Sequence, residues 1–377
     1  VRNAYAFRSL AGLNLGYQLV IDGYTQKMQS QPLPDVQAGD SIRLDLPLSK
    51  SALKKARKRG QEVQLNLFVT LDKAATWAPA GHIVAQRQFQ LADRAPLPEI
   101  RTKGGKLSVE RTSDAVRVKG DGLDATFDAK TGQMTALTLG GRAVLAPGQS
   151  FVYTNQRYIE NDKFGKTTNG LDATGSIQVD ERDGLVVVTT ARKGSLCSID
   201  VTYTLSPAGT VDVDARFAPH AENLRRAALM CCVDSSLNHV DYYAYGPWEN
   251  HVDRKDGVLV GRYSTTVEGM FEEYVKPQSM GNREGLRSLR LTDADGRGVQ
   301  IDTEGDVSFS VLPWTDEDLM NAKHLWEMEP RPYLVLQLNA YMRGLGNASC
   351  GQDVDTLPIY WVPNQPMSYK LRLSAVE

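Results

Sequence analysis

The chain has 377 residues, 43 of them basic and 45 acidic, with a formal net charge of -2, so no overall field concentrates it on nucleic acid or an anionic membrane. No apolar run approaches the roughly 18 residues of a bilayer-crossing helix, and the N-terminus lacks a charged n-region and a small-residue cleavage site, which is the pattern of a soluble chain. At about 150 residues per domain, the length suggests two domains, one of them a large β domain.

The chain starts at Val1 rather than Met and reaches strand-like patterning within a few residues, which reads as a fragment of something longer. Two-residue alternation then recurs throughout. It runs through Ile42, Leu44 and Leu46; Val63, Leu65, Leu67 and Val69; Cys197, Ile199, Val201, Tyr203 and Leu205; and Val211, Val213, Ala215 and Phe217. Such runs bury one face of a strand and wet the other, so an all-β protein with antiparallel sheets is expected. Asp22-Gly23, Asp183-Gly184, Asp256-Gly257 and Asp295-Gly296 interrupt strand-like sequence and supply the positive φ of tight hairpins. Ser51 to Arg59 is the clearest helix; its five basic residues have no interleaved aromatics and read as a solvated connection rather than a nucleic-acid patch. Alternation lapses between Leu91 and Gly105 and restarts at Leu107. The expected domains are therefore residues 1–95, an immunoglobulin-like sandwich of about seven short strands, and residues 100–377, a larger sandwich.

Few motifs carry chemistry. The four cysteines (Cys197, Cys231, Cys232 and Cys350) form no C-x-x-C pair and the five histidines no H-E-x-x-H spacing, which argues against zinc. No G-x-S-x-G elbow, P-loop or dinucleotide fingerprint is present. Asp293 to Gly298 begins like a calcium loop, with Glu304 at the twelfth position, but Gly296 is misplaced and the flanks read as strands, so a hairpin is expected. Asn347-Ala348-Ser349 matches a glycosylation sequon, taken as coincidence. The stretch Tyr245 to Gly257 is harder to dismiss. Glu249 and Asp253 lie near Trp248, and a carboxyl against an indole can gain the raised pKa of a general acid. The commoner arrangement packs Trp248 into a sandwich edge, lets Glu249 and Asn250 cap the turn and pairs Asp253 with Arg254.

The same stretch resembles the pattern G-R-G-P-x-E-N-Y-x-D-R-K of the C-terminal domain of glycoside hydrolase family 2 β-galactosidases. Gly261 to Val267, Tyr274 to Arg283, Leu291 to Gly298, Trp314 to Leu319, Ala322 to His324, Arg331 to Tyr333 and Arg343 to Gly351 follow in the family's order, and Phe127 to Gly132 resembles its opening hairpin. Arg2 to Leu10, Gly16 to Leu19 and Asp22-Gly23 are similar to the immunoglobulin-like domain that precedes it. The resemblance implies a small immunoglobulin-like sandwich followed by a large galactose-mutarotase-like antiparallel β-supersandwich. It also implies that the acid/base and nucleophile glutamates, the divalent cation and the sodium belong to a catalytic barrel absent from this sequence. On that reading the chain has no catalytic residue or cofactor of its own, binds β-galactoside only with the barrel, spans no membrane and belongs to a homo-oligomeric parent.

The loop matching Gly344 to Gly351 would close the galactose subsite, with Cys350, Ser349 and Asn347 as its candidate substrate-binding residues and Gly344 and Gly346 allowing its bend. Cys350 stands where some members present a tryptophan, and a thiol offers a sugar less surface than an indole. Tyr245, His251 and the run Glu160-Asn161-Asp162, with Arg157 out of register, depart from the family pattern and put the natural galactoside in doubt. Two other classes stay open. One is a carbohydrate-binding module using Trp248, Trp314, Trp326 or Trp361. The other is an aldose epimerase, although no sequence feature places His220, His239 or His324 beside a glutamate.

Overall fold

The computed structural model describes residues 1–159, 169–222, 224–346 and 356–377. Two compact units divide the chain: Val1–Pro96 with Leu259–Arg262, and Leu97–Val258 with Tyr263–Glu377.

In the first unit the period-2 runs around Leu13 and Val63 form long paired strands, Leu13–Ile21 against Val63–Leu71, and Ile83–Ala92 extends the sheet beyond the latter. Asp22 and Gly23 have φ of 49° and 80° and close a two-residue hairpin between Ile21 and Tyr24, as Asp-Gly chemistry predicts. Five strands ladder, fewer than the seven expected. Ile42, Leu44 and Leu46 alternate inward as anticipated and pack on the sheet's apolar face, but this segment is not part of any strand. Alternation reports an extended chain with one buried face; ladder pairing needs a neighbour at the right spacing. The helix spans Lys50–Lys58; Ser49 accepts from the Ala52 amide at 3.3 Å, Ala56 is buried, and Lys55, Arg57 and Lys58 sit at its negative end.

The second unit stacks antiparallel sheets around one apolar core. Eight of the nine strands of the large sheet run in the order Ser176–Arg182, Leu185–Arg192, Cys197–Ser206, Thr210–Pro219, Met367–Val376, Gly298–Glu304, Ser288–Thr292, His239–Gly246. A four-stranded sheet places Val152–Thr154, Arg226–Asp234, Tyr333–Met342 and Ser308–Leu312 side by side. A third sheet carries Phe127 on Leu123–Asp128, whose ring meets Tyr203 edge-on at 5.0 Å. Val201, Tyr203, Val213, Phe217, Leu229, Cys231, Phe309, Leu336 and Leu338 share this core, which is the all-β, antiparallel architecture the alternation implied. Cys197, Cys231 and Cys232 are free and buried, acting as small apolar groups.

Asp183 and Gly184, with φ of 54° and 78°, make a second two-residue hairpin. Asp293 to Arg297 is a hairpin loop rather than a calcium site: Asp293 Oδ1 accepts the amides of Asp295 and Arg297, each at 2.9 Å. Among the described residues no group of three or more His, Cys, Asp or Glu is placed to hold a metal, and no helix is long and apolar enough to cross a membrane.

Candidate functional site

The four-stranded sheet alternates like any strand pair, yet both of its faces are covered. On Tyr333–Met342, Leu336 and Leu338 enter the apolar core while Gln337 and Asn339 point the other way. Register places Ser308 and Ser310 beside Asn339 and Gln337, and Thr154 and Arg226 add to this second, polar face; all six are buried. A buried polar face is tolerable only when hydrogen-bonded. The partners come from the motifs that carry the family resemblance.

Asp316, in the first turn of the short helix Asp316–Asn321, lies 3.4 Å from the Arg226 guanidinium. It also accepts Gln337 Nε2 at 2.8 Å, the Tyr158 amide at 3.2 Å and the Ser279 hydroxyl. Asn250 is fully buried; its side chain donates to the carbonyls of Trp248 (2.8 Å) and Tyr245 (3.2 Å) and accepts the Glu284 amide at 2.8 Å. Asn282 donates to the Asn250 carbonyl at 2.8 Å and to Glu284 at 2.9 Å. Burial pushes the Glu284 carboxyl up to about 7, against the pull of Lys255, Asn282 and Arg157.

Glu249 is buried among donors. Its carboxylate accepts Tyr274 Oη at 2.6 Å, the Gly281 amide at 2.6 Å and His251 Nε2 at 3.2 Å. Burial alone would raise its pKa, but these donors outweigh burial and hold it below the ordinary value. Burial lowers the imidazole pKa of His251, with Glu249 opposing, and among the described residues its Nδ1 is buried without a hydrogen-bond partner. His251 and Arg254 then close a turn by reciprocal backbone hydrogen bonds of 3.3 and 2.8 Å, with Val252 and Asp253 at its corner.

That turn aims Asp253 at the loop singled out from sequence. Asp253 Oδ1 accepts the Leu345 amide at 3.0 Å and Oδ2 the Gly346 amide at 2.9 Å. Hydrogen bonds to a charged acceptor contribute roughly 1.5 to 3 kcal/mol each. The loop's return limb is tied to the same point: Thr356 Oγ1 donates to the Gly344 carbonyl at 3.0 Å, and the Gly344 amide donates to the Tyr360 carbonyl at 3.0 Å. Trp361 Nε1 donates to the Thr356 carbonyl at 2.7 Å, and the Arg343 guanidinium stands 5.4 Å from the centre of its ring. Arg157 donates to the Arg343 carbonyl. A side chain at either glycine would crowd a close neighbour. A Cβ on Gly344 would lie 2.6 Å from the Asp253 carboxyl carbon; Gly346 has φ +73° and would place a Cβ 2.9 Å from the Thr356 nitrogen.

Cys350, Ser349 and Asn347 lie outside the described residues, as do Glu160, Asn161 and Asp162. Three local expectations are corrected. Trp248 does not pack: it is 71 % exposed, because its neighbour Asn250 rather than the indole fills the interior. Glu249 turns inward to Tyr274, Gly281 and His251 instead of capping the turn, and Asp253 bonds the Leu345 and Gly346 amides rather than its neighbour Arg254. Of the other tryptophans, Trp326 is exposed and stacked on His324 at 4.2 Å, while Trp314 packs on Phe271 and Trp361 is held as above. His324 does lie beside a glutamate, Glu327, at 3.0 Å, a surface contact between residues three apart. The Arg226–Asp316 pair escaped sequence reasoning; a basic residue opening the apolar run Ala227 to Leu229 was its one visible sign.

Known proteins resemble this chain along most of its length. A family model described as Beta-galactosidase, domain 4 matches residues 1–92, and one described as Beta galactosidase small chain matches residues 119–373. The β-galactosidase of Priestia megaterium is 24 % identical over 361 residues, 92 % of this chain and 34 % of that protein. The β-galactosidase of Halalkalibacterium halodurans is 24 % identical over 378 residues, 96 % of this chain and 36 % of that protein. That of Lactobacillus delbrueckii subsp. bulgaricus is 28 % identical over 355 residues, 89 % of this chain and 34 % of that protein. The chain thus spans about a third of the length of these curated relatives. Among solved structures, galactose 1-epimerase from Lactobacillus acidophilus NCFM gives a TM-score of 0.41 at 8 % identity, over 73 % of this chain and 99 % of that one. A putative aldose 1-epimerase from Escherichia coli K12 gives 0.37 at 12 % identity, over 72 % and 99 %. Likenesses of that size bear on neither activity nor substrate. The small-chain match, which covers well over half of the residues, is decisive: this chain belongs to the β-galactosidase small chain family.

Proposed function

We propose that this chain is the C-terminal region of a β-galactosidase that cleaves terminal β-galactosides with retention, and that it shapes the galactose subsite without supplying the reacting carboxylates. The observation that carries the non-catalytic role is the engagement of Glu249, Asp316 and Asp253 by internal donors. Retention needs two carboxyl groups about 5 to 5.5 Å apart, one as nucleophile and one as acid/base, each open to the sugar. Glu249 is engaged by three donors, Asp316 by Arg226, Gln337, Ser279 and Tyr158, and Asp253 by two amides. Glu249 and Asp316 are buried acceptors of internal donors, and Asp253, which lines a surface pocket beside Lys255 and Tyr360, has both carboxylate oxygens engaged by backbone amides.

The contribution proposed for the region is a wall of the galactose subsite, and the described residues that flank this loop, Gly344 and Thr356, are joined by a hydrogen bond. The β-galactosidase names of the relatives, and the third of their length that the chain spans, support a parent with further domains. The test is hydrolysis of p-nitrophenyl-β-galactoside by the isolated chain, for which no turnover above background is expected. Turnover typical of glycosidases, roughly 1 to 1000 per second, would overturn the reading.

A second reading, a free-standing carbohydrate-binding module, is favoured by one observation, the exposure of Trp248 and Trp326. Calorimetry with galactose and lactose decides: binding by the isolated chain at millimolar affinity or tighter supports a module, and no heat supports a wall that acts only within a larger site.

A further inference from the structure

We infer that the segment Ala322 to Arg331 carries a surface binding platform for chains of β-linked galactose, with the Trp326 indole as its stacking face. The platform uses no residue of the segment Gly344 to Thr356 and needs no reacting group, so it stands whether or not that segment borders a sugar.

Trp326 sits in the single turn Leu325–Glu327 and its ring is 78 % exposed, yet the ring is held. His324 lies flat against it, with ring centres 4.2 Å apart and planes inclined by only 7°. Glu327 meets that imidazole at Nδ1, 3.0 Å away, and accepts the Lys323 amide at 2.7 Å. The segment is also fastened at both ends. Lys276 Nζ donates to the Ala322 carbonyl, and to that of Met320 at 3.3 Å. Arg331 forks onto the Asp318 carboxylate at 2.6 and 3.0 Å, and its amide donates to the Pro313 carbonyl at 2.8 Å. One face of the indole is thus backed by a fixed imidazole while the other stays open. A ring already held in place loses little conformational entropy when a ligand covers it.

The chemistry around the ring selects the ligand. The face of an aromatic ring is negative, and it attracts C–H groups that carry partial positive charge. β-Galactopyranose turns the hydrogens of C3, C4 and C5 to one side, a flat patch of such groups, while its hydroxyls point outward. The residues beside the indole suit those hydroxyls. Glu327 is exposed and its carboxylate keeps acceptor sites beyond its two internal bonds, and Lys323, Glu329 and Arg331 are exposed as well. A protein partner would require a contiguous apolar patch, whereas most exposed neighbours of Trp326 in this segment are charged or polar. On the scale of aromatic stacking, one ring contributes less than millimolar binding requires. A polymer, which offers the platform many equivalent sugars at once, is therefore the ligand that reveals it.

The experiment is affinity electrophoresis of this chain through native gels with and without soluble β-linked galactan, with circular dichroism to confirm that each variant is folded. Galactan should retard the wild-type chain. Trp326→Ala should weaken the apparent affinity at least about tenfold, and His324→Ala, which removes the backing but keeps the indole, about threefold. Trp326→Phe, with a smaller ring, should fall between wild type and alanine, and it decides the matter if the alanine variant does not fold. Trp248→Ala should migrate like wild type. Equal retardation of wild type and the Trp326 variants overturns the proposal, as does a wild-type chain that galactan does not slow. If Trp248→Ala alone abolishes retardation, the platform is refuted while the reading as a carbohydrate-binding module keeps its support. None of these outcomes touches the proposed subsite wall, which is tested by hydrolysis.

Discussion

The Asp253 carboxylate accepts the Gly346 amide at 2.9 Å across 93 residues of sequence, tying the turn closed by His251 and Arg254 to the segment Gly344 to Gly346. Neither residue predicts the other. Their contact makes an apparent acid–base motif into a support, and the predictions below follow from the same network.

Glu249 is the centre of that support. Glu249→Gln presents an amide to donors that now meet a carboxylate at 2.6, 2.6 and 3.2 Å, and should cost about 2 to 4 kcal/mol in urea unfolding of this chain. Tyr274→Phe removes one donor to this carboxylate and should cost about 1.5 to 3 kcal/mol. Because the folded carboxyl lies below its ordinary value, its stabilisation is present above the unfolded pKa and is lost as pH falls through the folded one. An acid-side titration of unfolding free energy should therefore lose this limb in the Gln variant.

Glu284 has the opposite sign. Its folded carboxyl is raised to about 7, so between the ordinary glutamate range and neutrality the folded chain binds more protons than the unfolded one. The stabilisation is full below the unfolded pKa and is lost as pH rises through about 7. Thermal melts should show this chain losing stability from pH 5 to pH 8 through this group, and Glu284→Gln should flatten that slope. A slope identical in the two proteins would refute the assignment.

The Arg226–Asp316 pair is buried on the polar face of the four-stranded sheet. Asp316→Leu leaves the guanidinium uncompensated and should cost about 3 to 5 kcal/mol. The double variant Arg226→Met with Asp316→Leu should recover part of that loss, since apolar replacements of buried pairs are often neutral. Chemical denaturation of the four proteins of this cycle measures it.

Gly346→Ala introduces a side chain at φ +73° and 2.9 Å from the Thr356 nitrogen, and should destabilise by more than about 1 kcal/mol. Gly141→Ala, also at positive φ (77°) but with open space around its Cβ, isolates the backbone component. The difference between the two, read by thermal melting, gives the steric share.

The sequence by itself determined the all-β class, since period-2 alternation of apolar residues has one physical solution, and it placed the hairpins at Asp22-Gly23 and Asp183-Gly184, where positive φ is needed. It also determined the family, because many short motifs keep their order across the chain. It did not determine which alternating runs ladder, as the segment through Ile42 and Leu46 shows, because hydrogen-bond partners are non-local. Nor did it assign the acids. Whether Glu249 is a proton donor or a buried acceptor depends on Tyr274, Gly281 and His251 arriving around it, and whether Asp253 pairs with its neighbour or grips a loop depends on Leu345 and Gly346. Composition supplies charged and polar groups, but their pKa values and roles come from burial and donors that only the packed sheets bring together.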